Sequence, residues 1–278
     1  MNITNYNLFR SDLYQNGLAY AAEHSARLGF DSVEMLVLLN SQKPPLLDVI
    51  NPQETRRILE HFGQSVACYS VAAQLYTEDV HAVEETLCRN AELAAALGSP
   101  YFHHTLLLGS PPNAPTYDEV FDGIVASAER VAKYCNSLGL TALYEPQGKY
   151  FNGIDGLGRF YKELKSRGLQ VGICNDLGNS LFADVSPTEV TQVFATEVKH
   201  VHIKDYIMAS EPFADQKCWK TVKGNWFAEC EIGHGVVDHR ACFDILRRAD
   251  YEGAISLEIE GNDETMLSAI AYVKSLLQ

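Results

Sequence analysis

One punctuation recurs along this chain: an amphipathic run, a glycine, then a short β-rich run. It reads Arg27-Leu28-Gly29-Phe30, His61-Phe62-Gly63-Gln64, Ala96-Leu97-Gly98-Ser99, Ser137-Leu138-Gly139-Leu140, Ser166-Arg167-Gly168-Leu169 and Tyr251-Glu252-Gly253-Ala254. A glycine just past a helix end supplies the left-handed cap that other residues adopt at a cost. The first five glycines lie 34, 35, 41 and 29 residues apart, the length of one strand–helix unit with its loops. The last interval, 85 residues, has room for two units and a large loop.

The segments between the glycines carry helical spacing. Val80, Val83, Leu87, Ala91, Ala94 and Leu97 recur by threes and fours, as do Val120, Ile124, Ala128, Val131, Cys135 and Leu138. Thr116 with Glu119 forms a capping box, and Ser186-Pro187-Thr188-Glu189 places proline at a first helical position. Strands fall near Ile3–Phe9, Ser32–Val37, Ser65–Val71, Pro100–Leu106, Leu140–Glu145, Leu169–Asn175, His200–Ile203 and Ala254–Ile259. Strands alternating with helices in this way predict an α/β chain folded as a single (β/α)8 TIM barrel over residues 1–278. An open, doubly wound sheet is the alternative. No G-x-G-x-x-G follows the first strand and no G-x-x-x-x-G-K-[ST] occurs, so nucleotide binding lacks its usual signals. Residues 206–238 read as a long active-site loop after the seventh strand.

Composition narrows the partners. The 278 residues are 46% hydrophobic and 10% aromatic, ample for a sizeable core. No apolar run approaches the roughly 20 residues of a membrane helix, and no basic, then apolar leader opens the chain. A cytoplasmic protein without a membrane partner is expected. A net charge of −14 argues against a nucleic-acid partner, whose phosphates need Lys and Arg. Cys68, Cys88, Cys135, Cys174, Cys218, Cys230 and Cys242 are odd in number and include no C-x-x-C pair, so reduced thiols are expected.

Strand parity then sorts side chains. In a closed barrel, alternate residues face the helices and the barrel interior. Val198-Lys199-His200-Val201-His202-Ile203-Lys204-Asp205 sends Val201 and Ile203 outward and His200 and His202 inward. Ile255, Leu257 and Ile259 point outward, leaving Ser256, Glu258 and Glu260 inward. The same count puts Glu34, Glu145 and Asp176 inward. Glu34, Glu145, Asp176, His202 and Glu258 thus converge at the carboxyl ends of strands, where barrel enzymes place their chemistry. Converging carboxylates resist ionisation unless a cation lies among them. Carboxylates with one imidazole suit Mn²⁺, Mg²⁺ or Co²⁺ better than a thiolate-rich structural zinc.

At these residues the sequence resembles the xylose isomerase-like superfamily of sugar phosphate isomerases and epimerases. The resemblance runs from Gly29-Phe30-Asp31-Ser32-Val33-Glu34 to Gly253-Ala254-Ile255-Ser256-Leu257-Glu258. Its most specific pieces are Leu143-Tyr144-Glu145-Pro146, Asn175-Asp176-Leu177-Gly178-Asn179, His200-Val201-His202-Ile203-Lys204-Asp205 and Ile232-Gly233-His234-Gly235-Val236-Val237-Asp238. It implies that Glu145, Asp176, His202 and Glu258 bind one divalent ion, Mn²⁺, Mg²⁺, Co²⁺ or Zn²⁺. It further implies that Glu145 and Glu258 are the catalytic carboxylates of a sugar or polyol isomerase or epimerase. The chemistry is proton abstraction next to a carbonyl through an enediolate.

The sequence departs from the ketose 3-epimerase pattern at three substrate-holding positions. It has Asn179 in place of a histidine, Met208 in place of an arginine and Phe151 in place of a glutamate. Glu34, His103, Asn179 and Lys204 are the candidate substrate contacts; parity turns His103, rather than His104, inward. Lys204 is alternatively a partner of Asp205 or Glu258. Tyr6, Trp219 and His234 are weaker candidates. An inosose-type dehydratase on the same metal site is the runner-up. An endonuclease IV-like phosphodiesterase and a non-catalytic binding protein follow. Analogy with the family also suggests a homo-oligomer.

Overall fold

The computed structural model describes residues 1–39, 45–108 and 115–278. Eight parallel strands close into a barrel: β1 (Asn2–Asn5), β2 (Ser32–Leu38), β3 (Val66–Ala72), β4 (Tyr101–His104), β5 (Thr141–Tyr144), β6 (Val171–Asp176), β7 (Val198–Ile203) and β8 (Ala254–Leu257). Each strand pairs with its sequence neighbour, and β1 pairs with β8 to close the ring, Ile3 opposite Ile255. This is the (β/α)8 barrel predicted from the repeating unit, and the open-sheet alternative falls.

The helices follow their capping chemistry. Tyr117–Ser137 begins at Thr116, whose side chain accepts from the Glu119 N–H while the Glu119 carboxylate accepts from the Thr116 N–H. Pro187–Phe194 begins on its proline. Gly29, Gly63, Gly98, Gly139 and Gly168 all have positive φ. Gly253 does not. There Asp250 takes the left-handed position (φ 56°), and Gly253 instead leaves room for the Tyr251 side chain, whose hydroxyl a Cβ would strike at 2.5 Å. The main core lies between strands and helices and is filled by large buried rings such as Phe9, Phe102, Tyr144, Phe160 and Phe243. Inside the barrel, Cys68, Leu143 and Cys174 form a small apolar cluster, as parity requires for Leu143 and Cys174.

Three local expectations need correction. The first strand stops at Asn5 instead of Phe9, because the Asn5 side chain accepts from the Phe9 N–H at 3.0 Å and the chain turns into the helix Asn7–Asn16. The last strand stops at Leu257, so Glu260 lies beyond it and is exposed rather than inward. Residues 206–238 are more than a loop. Strands Asp205–Ala209, Trp219–Lys220 and Trp226–Cys230 form a small antiparallel sheet over the carboxyl end of β7. The described cysteines are all free thiols, and no described helix is long and apolar enough to cross a membrane.

Candidate metal centre

Four strand ends meet at one point. Glu145 follows β5, Asp176 ends β6, His202 lies in β7 and Glu258 follows β8. One ligand-capable atom of each lies within 4.8 Å of the others. Asp176 is divided between two tasks. Its Oδ1 accepts from the Gly178 and Asn179 N–H groups at 2.8 and 2.9 Å, which leaves Oδ2 turned to the site. The Lys204 ammonium lies 2.8 Å from that Oδ2 and 2.9 Å from Glu258 Oε1. His202 Nδ1 lies 3.2 Å from Glu258 Oε2 and 3.5 Å from Glu145 Oε2.

A second ring of contacts lies behind the first. Glu34 is fully buried and takes four polar partners. Its Oε1 meets Ser70 Oγ and, at 3.1 Å, His202 Nε2; its Oε2 meets Ser256 Oγ and, at 2.8 Å, His200 Nε2. Ser70 Oγ is also 3.0 Å from His103 Nδ1, and His103 Nε2 lies 3.5 Å from Glu145 Oε1. Glu34 therefore stands behind His202 and does not reach the open side where a substrate contact was expected. The register shift between Val33 and Glu34 accompanies this placement. His103 does turn inward, while His104 packs against the Tyr144 ring at 5.2 Å on the helix side. Lys204 pairs with Asp176 and Glu258, not with Asp205.

The electrostatics follow from burial against charge. Burial pushes the Asp176 carboxyl up to about 7, with Lys204 countering only part of the effect. Burial would also raise Glu258, but Lys204 and His202 outweigh it and hold that carboxyl well below its usual range. Glu34 is held well below as well, since His202 and His200 overcome its burial. Burial opposes charge on His202 and Lys204, yet the neighbouring groups, Cys174 and Glu34 for His202 and Asp176 and Glu258 for Lys204, keep both well above their usual values. For His103, burial prevails and the ring is pushed toward its neutral form.

The residues fit a divalent cation. Asp176 Oδ2, His202 Nδ1 and Glu258 Oε2 are buried without an aligned hydrogen bond among the described residues, and their residues belong to one cluster with Glu145. Buried polar atoms are as a rule bonded. Three carboxylates and an imidazole around one point are a donor set that a hard or borderline divalent ion would satisfy, beside the Lys204 ammonium that already meets two of them.

Beside the cluster lies a cavity of about 540 Å³, lined by Asn179, Gln147, Asn152, Phe182 and Trp219 among others. Asn179 joins it to the Asp176 turn, its N–H donating to the Asp176 carboxylate. Trp219 stacks on Phe227 at 5.8 Å, so the accessory sheet forms one wall. Tyr6 lies with its ring 4.9 Å from that of His202, whereas His234 is exposed. Phe151 belongs to an aromatic cluster with Tyr117 and Phe160, and Met208 sits part-exposed on the accessory sheet.

Asp205 was missed as a functional support. Its buried carboxylate accepts from the N–H groups of Tyr206, Gly233, Gly235 and Val237 at 2.9–3.1 Å, and so fixes the glycine loop to the end of β7. The signal was present in the pairing of Lys204-Asp205 with Gly233-His234-Gly235, two short motifs with no assigned reason to meet.

Comparison with known proteins agrees with this architecture. A family model described as a xylose isomerase-like TIM barrel matches residues 22–276. A 3-oxo-isoapionate decarboxylase from Pectobacterium atrosepticum is 25% identical over 211 residues, 72% of this chain; the chain spans 64% of that relative's length. Among solved structures, a D-allulose 3-epimerase from Methylomonas sp. in complex with D-allulose superposes with a TM-score of 0.75 at 18% identity, covering 99% of this chain and 96% of that one. A xylose isomerase-like TIM barrel protein from Mycobacterium smegmatis in complex with magnesium gives 0.73 at 17% identity, with the same coverages. At these identities the structural likeness is one of fold.

Proposed function

Because the chain belongs to the xylose isomerase-like TIM barrel family, we propose that it is a divalent-metal-dependent isomerase or epimerase of a sugar or polyol. The observation that carries the reading is the convergence of Glu145, Asp176, His202 and Glu258, with three of their buried atoms lacking an aligned hydrogen bond. A divalent ion held by these four would act as a Lewis acid on the substrate carbonyl and stabilise an enediolate. The chain's own residues would do the rest. Glu258, kept ionised by Lys204 and His202, is the first of two carboxylates, and a base there would need the ammonium drawn away as substrate binds. Glu145, almost wholly buried beside His103, is the second carboxylate. Proton removal by one and return by the other to the opposite face epimerises the carbon; return to the neighbouring carbon isomerises the substrate. The Asn179–Trp219 cavity offers amides and an aromatic wall for the hydroxyl-bearing remainder of the substrate.

A second reading is favoured by the decarboxylase relative. Loss of CO2 from a 3-oxo acid leaves the same enolate-type anion without needing a base. One experiment separates the two. After elemental analysis for one divalent ion per chain, ketoses and 3-oxo sugar acids are incubated in D2O and followed by NMR. Deuterium entering next to a carbonyl, lowered about 10²–10⁴-fold in Glu145→Gln and Glu258→Gln, supports the isomerase reading. Release of CO2 would move the chain to the lyases. A protein that binds no divalent ion and exchanges no substrate proton sinks both.

A further inference from the structure

The polarity of the hydrogen bonds around Glu34 can be followed outward. An ionised carboxylate only accepts, so Ser70, Ser256, His200 and His202 must each present a hydrogen to it. His202 thereby keeps its proton on Nε2, and Nδ1 is the nitrogen left for the cluster of Glu145 and Glu258. Ser70, having given its hydrogen to Glu34, offers a lone pair to His103 Nδ1 at 3.0 Å. His103 must then carry its proton on Nδ1 and turn the bare Nε2 toward Glu145, and that Nε2 is a buried atom with no hydrogen-bond partner among the described residues.

We propose that Glu34 is a positioning residue that sets the ring tautomers of both His202 and His103, directly in one case and through Ser70 in the other. His103 then faces the site with a lone pair, as does His202 once a divalent ion takes the place of any proton on its Nδ1. His103 Nε2 is in consequence a fixed acceptor that favours a substrate hydroxyl over a carbonyl, carboxylate or phosphate oxygen at that place. The His202 half rests on the metal reading above; the His103 half does not.

The test reads the tautomers themselves. Long-range ¹H–¹⁵N imidazole spectra of the full chain, without metal and with Zn²⁺ as a diamagnetic probe, are expected to show His103 protonated on Nδ1 in both and zinc-bound His202 protonated on Nε2. Glu34→Gln sets an amide N–H against hydrogens already pointing at it. It is expected to scramble both tautomers and weaken Zn²⁺ binding about 10–100-fold in a chelator competition. Ser70→Ala is expected to scramble His103 alone and leave Zn²⁺ affinity within about twofold of the wild type, on the same principle that outer contacts act through the ligand they touch. A wild-type His103 protonated on Nε2, or tautomers unchanged in both variants, overturns the proposal. If Glu34→Gln fails to fold, the wild-type and Ser70→Ala spectra decide. A protein that binds no zinc removes the metal reading, while the His103 spectra still judge the relay.

Discussion

Asp176 holds its own turn with one oxygen and faces the cluster with the other. Its carboxyl, pushed up to about 7 by burial, keeps its proton at mildly acid pH. A metal ligand must shed that proton first, so divalent affinity should fall as pH drops through 7, by up to about tenfold per unit from this group. Since His202 is also held above its usual range, the rise in affinity should continue above pH 7. Titration of the protein with Mn²⁺ at pH 6, 7 and 8 checks this; a flat affinity would remove Asp176 from the ligand set. Strand parity was enough to bring Glu145, Asp176, His202 and Glu258 to one end of one interior. It could not place Glu34, because depth inside a barrel depends on tilt and on the shift at Val33/Glu34, neither of which is written in the alternation. Ser256, although counted inward, has no role in the sequence reading, and Ser70 is not singled out there, for a related reason: a small hydroxyl at an inward position carries no signal until its carboxylate partner is known.

At the scale of elements, the end of β7 and the glycine loop are one device. Asp205 gathers four N–H groups, and Gly235 comes so close that a Cβ there would lie 2.1 Å from Asp205 Oδ1 and 2.4 Å from the Tyr206 carbonyl. Asp205→Ala would leave buried donors unpaired, at about 1–3 kcal/mol each where water cannot reach them. The expected result is a loss of about 2–4 kcal/mol, with faster amide exchange at Gly233, Gly235 and Val237. Gly235→Ala should give the same exchange pattern by displacing the carboxylate. Unchanged protection of these amides in both variants would show that the loop holds itself. The helices were legible because caps and three–four spacing are local, as at Thr116 and Pro187. The accessory sheet was not. Its strands are short, and Trp219 and Phe227 meet only after Phe182 supplies the surface they pack on.

The whole molecule was readable because its topology is sequential: each strand pairs with the next, and among the described barrel pairings only β1–β8 joins strands distant in the chain. That closure also explains why the layer between strands and helices is continuous, and why a polar group within it affects the stability of the entire barrel. His104 is such a group. It is fully buried against Phe102 and Tyr144, with its Nδ1–H donated to the Thr105 carbonyl at 3.1 Å, and burial pushes its pKa down to about 4. In the unfolded chain an imidazole titrates near 6.5. Its contribution is therefore fully present above about 6.5, and it is lost as pH falls toward 4, because the unfolded state takes up the proton first. Between pH 7 and pH 5 the loss amounts to about 2 kcal/mol for this one group. His104→Phe keeps a ring of similar shape and removes the titration, so urea unfolding of the metal-free protein should show a smaller drop in stability between those pH values by about that amount. Other titrating groups, Asp176 and His202 among them, are common to both proteins and cancel in the comparison. Equal pH slopes for wild type and variant would mean that His104 gains a partner or water when protonated, and that this part of the layer is less closed than its packing indicates.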